Sequence, residues 1–557
     1  MNYKTLAYCF LSLLVLGTVT KADELSELRA AMAALKAENK TLKAQLGESE
    51  EKLEKQSKNL ADFQEEQRDQ RRELREYTGS GRDQGPGGLI ELGPVSIGGA
   101  LRANYTVGDY NNPGGTAGLA SPTAILLNDN ELDGAIDGPT RDSDGSFALD
   151  TIYLNAKFDQ GSFIGAAEYR FYDQLDELGG YHFLHTLWGG YHFDNGSELK
   201  LGIIEVPFGS ERFGNTYSFL NSLENVAGFS DDRDLGIVYS FTLYDFDIDL
   251  GYFFSEEPNG SGQSANSTRG SYDVASPGDT TTPYVPLFVN ADARTSEQFA
   301  ANNFLGGNFS PFQERDQFNV RVKRTFYFGE TESVIGASFQ YGQLEATGDV
   351  VSNPLTFPNP AVVSQADELL GDGDMWAGSV FIKSTFRNWQ LKAGITQYDY
   401  DIDTLKDGQT LVGYNPDQIV VGAFDIPIFI ASEGIIPSIA LSYTHIPRNI
   451  DFIDWIVPYI EYSAILKHGQ TNGQYYFDLP AGTEFEDSEQ FTLGAVMGMG
   501  NLVIYVDTVF GKGSPLIGNE NNQLTTGGAL NKSDGSGSVD FDDGWQLRFN
   551  INVGYYF

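Results

Sequence analysis

Beyond residue 92, apolar and polar residues alternate one by one. The last stretch shows it most plainly. Trp545, Leu547, Phe549, Ile551, Val553, Tyr555 and Phe557 fall on one face, with Gln546, Arg548, Asn550, Asn552, Gly554 and Tyr556 on the other. A period of two with one apolar face is the pattern of a half-buried strand. It recurs upstream, where Phe163, Gly165, Ala167, Tyr169 and Phe171 oppose Ala166, Glu168, Arg170 and Tyr172. Phe318, Val320 and Val322 likewise oppose Asn319, Arg321 and Lys323. Charges fall on the polar face each time. A closing strand with the terminal aromatic Phe557 suits a transmembrane barrel whose lipid-facing and lumen-facing side chains alternate, and marks Phe557 as an assembly signal.

Such segments are predicted near 95–107, 147–158, 163–172, 183–193, 197–206, 235–243, 246–254, 317–327, 332–343, 375–387, 389–399, 435–446, 452–467, 490–499, 502–510 and 545–557. The connections alternate between short turns, such as Asp159-Gln160-Gly161, Asp194-Asn195-Gly196 and Met499-Gly500-Asn501, and long loops, such as 108–146, 207–234, 255–316 and 511–544. The expected fold class is therefore all-β, a 16-stranded antiparallel transmembrane barrel over 93–557. The apolar stretch Ile419 to Ile430 could supply a seventeenth strand, but that would put the two rims out of phase, so 400–434 is read as loop. A barrel of this size keeps a water-filled lumen, and passive permeation of small hydrophilic solutes and ions follows as the expected function.

Before residue 92 the period changes. Residues 1–22 read as a signal peptide, with Lys4, an apolar stretch from Leu6 to Val19 and small residues Thr20 and Ala22 at the −3 and −1 positions. Cys9 lies too early in that stretch for a lipoprotein anchor. From Leu25 to Tyr77 apolar residues fall on alternating three- and four-residue steps, with Asn39 at an a position. Residues 23–78 are thus predicted to form an N-terminal α-helical coiled coil preceding the barrel, placed in the periplasm. A solvated single helix is the alternative. The Gly-rich segment 79–92 is a linker.

Composition narrows the function classes. The chain has 36 Lys plus Arg against 77 Asp plus Glu, a net charge of −41, which excludes a nucleic-acid partner. One Cys excludes disulfide frameworks and thiolate zinc sites. The histidines His182, His185, His192, His445 and His468 accompany neither a Gly-x-Ser-x-Gly elbow nor a His-Glu-x-x-His helix, so no enzyme, catalytic residue, metal or cofactor is expected. The runs Asp129 to Gly134 and Asp142 to Gly145 resemble calcium loops only superficially, because Thr140 stands where a bidentate Glu is needed.

The stretch Gly202-Ile203-Ile204-Glu205-Val206-Pro207-Phe208-Gly209-Ser210-Glu211 carries the chain's most specific motif. With Thr216-Tyr217-Ser218-Phe219, Glu224 and Asp231-Asp232-Arg233-Asp234-Leu235-Gly236-Ile237, it resembles the signature of the phosphate-selective porin O/P family. The resemblance implies a homotrimeric sixteen-stranded porin in the outer membrane of a Gram-negative bacterium. It also implies that the third long loop folds into the pore and that basic residues attract anions. In this chain that loop is 207–234, with Pro207, Phe208, Gly209, Glu211, Arg212, Glu224, Asp231, Asp232 and Arg233 at the constriction. By parity, Arg102, Lys157, Arg170, Arg321, Lys323, Lys383, Lys392 and Arg548 point inward and line the pore. They read as an anion ladder, or as mixed charges paired with Asp150, Glu168, Asp247, Asp249 and Asp507. The acidic loops favour cations at the mouth. Expected partners are outer-membrane lipid and small ions or solutes. The competing class is a structural tether to the cell wall through the coiled coil, or an adhesin with a barrel anchor.

Overall fold

The computed structural model describes two units of the chain, 1–76 and 77–557. In the first it describes residues 29–30, 32–37, 40 and 43, all helical. The proposed signal peptide and most of the proposed coiled coil and linker lie outside the described residues. In the second unit it describes 90–108, 146–174, 177–210, 214–219, 222–257, 261–262, 273–274, 312–346, 349–351, 362–365, 372–402, 417–423, 426–450, 452–470, 482, 484–513, 529–530, 541–542 and 545–557. The acidic runs 129–134 and 142–145 lie outside them.

Sixteen long strands close into one antiparallel barrel. They are β1 (Val95–Gly108), β2 (Ser146–Gln160), β3 (Phe163–Gln174), β4 (Glu177–His192), β5 (Glu198–Glu205), β6 (Arg233–Leu243), β7 (Phe246–Ser255) and β8 (Phe312–Phe328). They continue with β9 (Thr331–Ala346), β10 (Gly373–Phe386), β11 (Trp389–Asp401), β12 (Glu433–Tyr443), β13 (Trp455–His468), β14 (Ser488–Met499), β15 (Leu502–Lys512) and β16 (Gln546–Tyr556). Each pairs with its neighbour in sequence, and β16 returns to pair with β1 from Ala100↔Tyr556 to Gly108↔Arg548. Phe557 completes the seam, exchanging backbone hydrogen bonds with Gly99 at 2.8 and 3.0 Å.

Alternation decides which face is which. Phe163, Leu201, Phe318, Val380 and Tyr555 are exposed on the outer face, whereas Asn319, Asp507, Asn550 and Asn552 on the inner face are fully buried. Tight turns set the register on one rim. Between β6 and β7 the two linking residues, Tyr244 and Asp245, both have positive φ, the geometry that matches strand twist in a two-residue hairpin.

Three boundaries differ from the sequence reading. The expected loop after 172 is a hairpin instead, because β3 runs to Gln174 and β4 starts at Glu177, where the polar Asp173-Gln174 and Glu177-Leu178-Gly179-Gly180 mask the period. The loop taken as 207–234 ends at 232, since Arg233 and Asp234 already pair with Glu205 and Ile204. The apolar stretch inside 400–434 joins no barrel strand. It forms a hairpin of its own, Gln418–Ala423 with Ile426–Ala431, which pairs with a short strand at Asp273–Val274.

Candidate functional site

The connection 206–232 leaves β5, crosses the barrel interior and returns to β6. It starts with Val206 N–H bonded to the Asp232 carbonyl at 3.0 Å, which closes the neck of the loop. Pro207 is buried, Phe208 packs against Phe229 at 6.0 Å between centroids, and Gly209, at φ 61°, turns its N–H onto Ser338 Oγ of β9 at 2.9 Å. Glu211 and Arg212 lie outside the described residues.

The tip docks on the far wall through hydrogen bonds that a polar lumen can supply. Asn215 Nδ2 donates to Ser438 Oγ of β12 at 2.9 Å. Thr216 Oγ1 donates to Glu461 of β13 at 2.7 Å, and the N–H groups of Tyr217 and Ser218 donate to the other oxygen of that carboxylate. One wall carboxylate thus gathers three donors from three consecutive loop residues. Lys392 of β11 holds the same tip from the other side, donating to the Thr216 carbonyl at 3.0 Å and lying 4.1 Å from the Tyr217 ring centroid. The Tyr217 hydroxyl donates to Gln390 Oε1, and Phe219 N–H donates to Asp507 of β15 at 3.3 Å. The Phe219 ring meets Tyr505 of β15 and the Arg102 guanidinium of β1.

The return path is anchored by a four-residue helix, α1 (Leu223–Val226), whose Leu223 N–H donates to Ser463 Oγ of β13. Glu224 accepts from Thr396 Oγ1 at 2.8 Å. Phe229 stacks near Tyr398 and Tyr400 of β11. The segment ends at Asp231, which ion-pairs with Arg233, while the Arg233 guanidinium also reaches Glu205 Oε2 at 3.5 Å and Thr186 Oγ1 at 3.1 Å. Asp232 is buried, its carbonyl holding the neck.

Of the parity-assigned basic residues, Arg102, Arg170, Lys392 and Arg548 are buried inside the barrel. Arg102 donates to Thr151 Oγ1 at 3.1 Å, and its guanidinium and that of Arg170 both lie over the Tyr153 ring. Arg170 pairs with Glu168 at 2.6 Å, and His185 lies 3.0 Å from the same carboxylate. Arg321 pairs with Asp249 at 2.9 Å, and Lys323 stands 4.0 Å from it. Lys383 is half-buried and sits directly across from Lys392 in the β10–β11 ladder, whereas Lys157 is exposed near the short-turn rim. These residues are spread around the wall; the structure does not gather them into one cluster.

Sequence reasoning did not single out Glu461, Gln390, Ser463 or Thr396, which do most of the loop docking. Each is one polar residue among many on a lumen-facing parity, and nothing in spacing marks it. Three of the five histidines lie along β4, where His182 contacts the Tyr169 hydroxyl on the outer face, His185 faces Glu168 and His192 pairs with Glu198, while His468 of β13 pairs with Glu433. Among the described residues no group of three His, Cys, Asp or Glu side chains is placed to hold a metal.

No protein-family model matches the chain, and no curated protein matches it. Among solved structures the chain is similar to outer-membrane channels. The channel DcaP of Acinetobacter baumannii is 11% identical over 85% of this chain and 100% of that one, with a TM-score of 0.43. The anion-selective porin from Comamonas acidovorans is 12% identical over 83% and 99%, with a TM-score of 0.39. OprB of Pseudomonas putida is 11% identical over 83% and 94%, with a TM-score of 0.42. Likeness at this level carries no weight for function.

Proposed function

We propose that the chain is an outer-membrane porin, a weakly selective channel for small hydrophilic solutes narrowed by the inward loop 206–232. The observation that carries this reading is the division of the barrel's two faces. On the outer face aromatic side chains gather beside the short turns: Phe163 with Tyr191, Tyr239 with Phe241, Trp389 with Tyr443, and Tyr555 with Phe557. A second set lies toward the other rim, including Phe171 and the exposed Tyr252, Phe254 and Tyr341. Phe163 and Phe171 are eight residues apart, roughly 26 Å along a strand at ~3.3 Å per residue. At a strand tilt of about 40° that is roughly 20 Å along the membrane normal, so the two aromatic girdles, with apolar residues between, bracket a band approaching the ~25 Å of such barrels. The inner face is polar, and a loop that crosses a lumen narrows a passage.

Weak selectivity follows from the pairing of the wall charges. Arg170 is matched by Glu168 and Arg321 by Asp249, with Lys323 4.0 Å from the same carboxylate. A cation whose field is balanced by its neighbour selects poorly, so the anion preference that family resemblance implies is not carried by these residues. The decisive experiment is single-channel recording of the purified protein in planar bilayers under a salt gradient with phosphate titrated in. Discrete steps with a reversal potential near zero and no phosphate block are expected. Absence of steps from folded protein would overturn the reading.

A homotrimer in outer-membrane lipid belongs to the same proposal. So does an accessory tether: residues 23–78, if helical throughout, would span about 80 Å at 1.5 Å per residue. Deleting 23–78 is expected to reduce cell-wall association and leave conductance intact; unchanged association would remove the tether.

A further inference from the structure

One acidic group of the expected constriction is sealed inside the loop's seat. Glu224, in α1, is 2% exposed. Its Oε1 accepts from Thr396 Oγ1 at 2.8 Å, and that hydroxyl also meets Ser379 Oγ at 2.9 Å. Oε2 has no hydrogen-bond partner among the described residues, and Glu224 forms no ion pair there. Gly214, at φ +72°, closes over it so tightly that a Cβ would stand 2.8 Å from Oε2 and 2.9 Å from Ser222 Oγ.

Most charged and titratable groups on the elements packed against α1 are committed elsewhere, and Lys467 is buried at the far end of β13, four residues beyond Ser463. On β11, Lys392 is bound to the Thr216 carbonyl and the Tyr217 ring, and Tyr398 packs on Phe229. On β13, Glu461 holds the loop tip and Tyr459 donates to Asp507. On β12, Glu433 pairs with exposed His468, and the lumen side offers Ser438 and Ser442. Within the loop, Asp231 pairs with Arg233 and Asp232 is buried at the neck. An ionised Glu224 would therefore be a buried carboxylate with only the Thr396 hydroxyl and the Asn215 backbone as donors and no countercharge among the described residues, a costly arrangement.

We propose that Glu224 is a proton-controlled latch: protonated, it lets the loop lie seated on β11 and β13, and its ionisation releases the return limb of the loop and widens the passage. The widening rests on the pore reading; the latch does not. Burial pushes the Glu224 carboxyl up to about 7, against hydrogen bonds from Thr396 and the Asn215 backbone that pull it down. The sign follows from linkage. A carboxyl whose seated value lies above its ordinary one contributes seating that is fully present below the ordinary value, is lost as pH rises toward 7, and stays lost above it. The shift from 4.5 to about 7 corresponds to roughly a 300-fold change in the seated-to-unseated ratio.

The test uses the folded full chain in lipid, with hydrogen exchange over 206–232 normalised for intrinsic rates between pH 4.5 and 8.5. Wild-type protection is expected to fall by up to roughly 300-fold across that range. Glu224→Gln is expected to hold protection constant over the return limb 222–232, while the tip 215–219, which is held by the separate carboxylate Glu461, is read apart from it. Thr396→Val, which removes the donor that favours the ionised form, is expected to move the transition to higher pH. A pH-independent wild type, or a Glu224→Gln variant that retains the transition, overturns the latch. Bilayer recording of the same samples separates the two ideas: conductance rising with pH in wild type and flat in Glu224→Gln supports both. Normal exchange behaviour without channels overturns the pore and leaves the latch standing.

Discussion

Two long connections on the same rim of the barrel are held by different mixtures of chemistry. Loop 206–232 is seated on the lumen wall by hydrogen bonds from its own backbone and hydroxyls to Ser338, Ser438, Glu461, Asp507 and Ser463. The 418–431 hairpin in the β11–β12 connection buries Ile419, Val421, Ile430 and Ala431 almost completely. The tip of the first depends on donors meeting particular acceptors, while its return limb, through Leu223, Val226 and Phe229, shares one buried apolar cluster with Ile419, Val421 and Ile430 of the second, which depends on area removed from water, a non-directional force. A directional seat responds to single polar substitutions and to protons. An apolar one responds to lost volume, and hardly to pH.

Substitutions can break that contrast. The largest effect is expected at Glu461→Ala, which strands two backbone N–H groups and a hydroxyl. Loss of about 3 kcal/mol of seating is expected, read as higher and noisier single-channel conductance with loss of exchange protection over 216–218. Ile430→Ala should cost about 2 to 4 kcal/mol through the cavity it leaves, seen as faster exchange across 418–431 and a smaller loss of protection over 222–229, which shares its apolar cluster, with conductance changed less than by Glu461→Ala. Unaltered protection over 222–229 would show that the shared cluster does not couple the two connections. Gly214→Ala is expected to weaken the loop by about 1 to 2 kcal/mol, because its φ of +72° and the proximity of Glu224 both resist a side chain. Smallest of all is Arg387→Ala. Its ion pair with Glu330 lies on the exposed turn rim, and no change in heat-modifiable gel mobility is expected.

The same contrast explains what the sequence discloses. The sixteen strands are legible because a wall wet on one side and greasy on the other forces a period of two on each of them, as in β8 and β16. Where that pressure relaxes, legibility fails: the tops of β3 and β4, around Asp173 and Glu177, extend beyond the apolar band and carry no alternation. The 418–431 hairpin shows the other limit: its Ile-Val run is buried against protein, periodicity alone cannot separate that from a barrel strand, and only the phase of the two rims keeps it out of the barrel. The inward course of 206–232 is visible only through the Pro207-Phe208-Gly209 motif and its family resemblance. Docking acceptors such as Glu461 are silent because a lumen-facing acid has the same spacing whether it binds a loop, pairs with Arg or meets water. Asp249 and Glu168 are likewise named as pairing partners by parity, and here they do pair, with Arg321 and Arg170.

The seam between β1 and β16 has a consequence for biosynthesis. Every other strand finds its partner in the segment just made, but β1 must wait for the last one, more than 400 residues later. Until Tyr556 and Phe557 emerge, any partial sheet carries two bare edges, each a template for pairing with a foreign strand. Ring closure is therefore a single late event of high loop-closure cost, and a nascent chain of this design requires an escort that shields both edges until the ends meet.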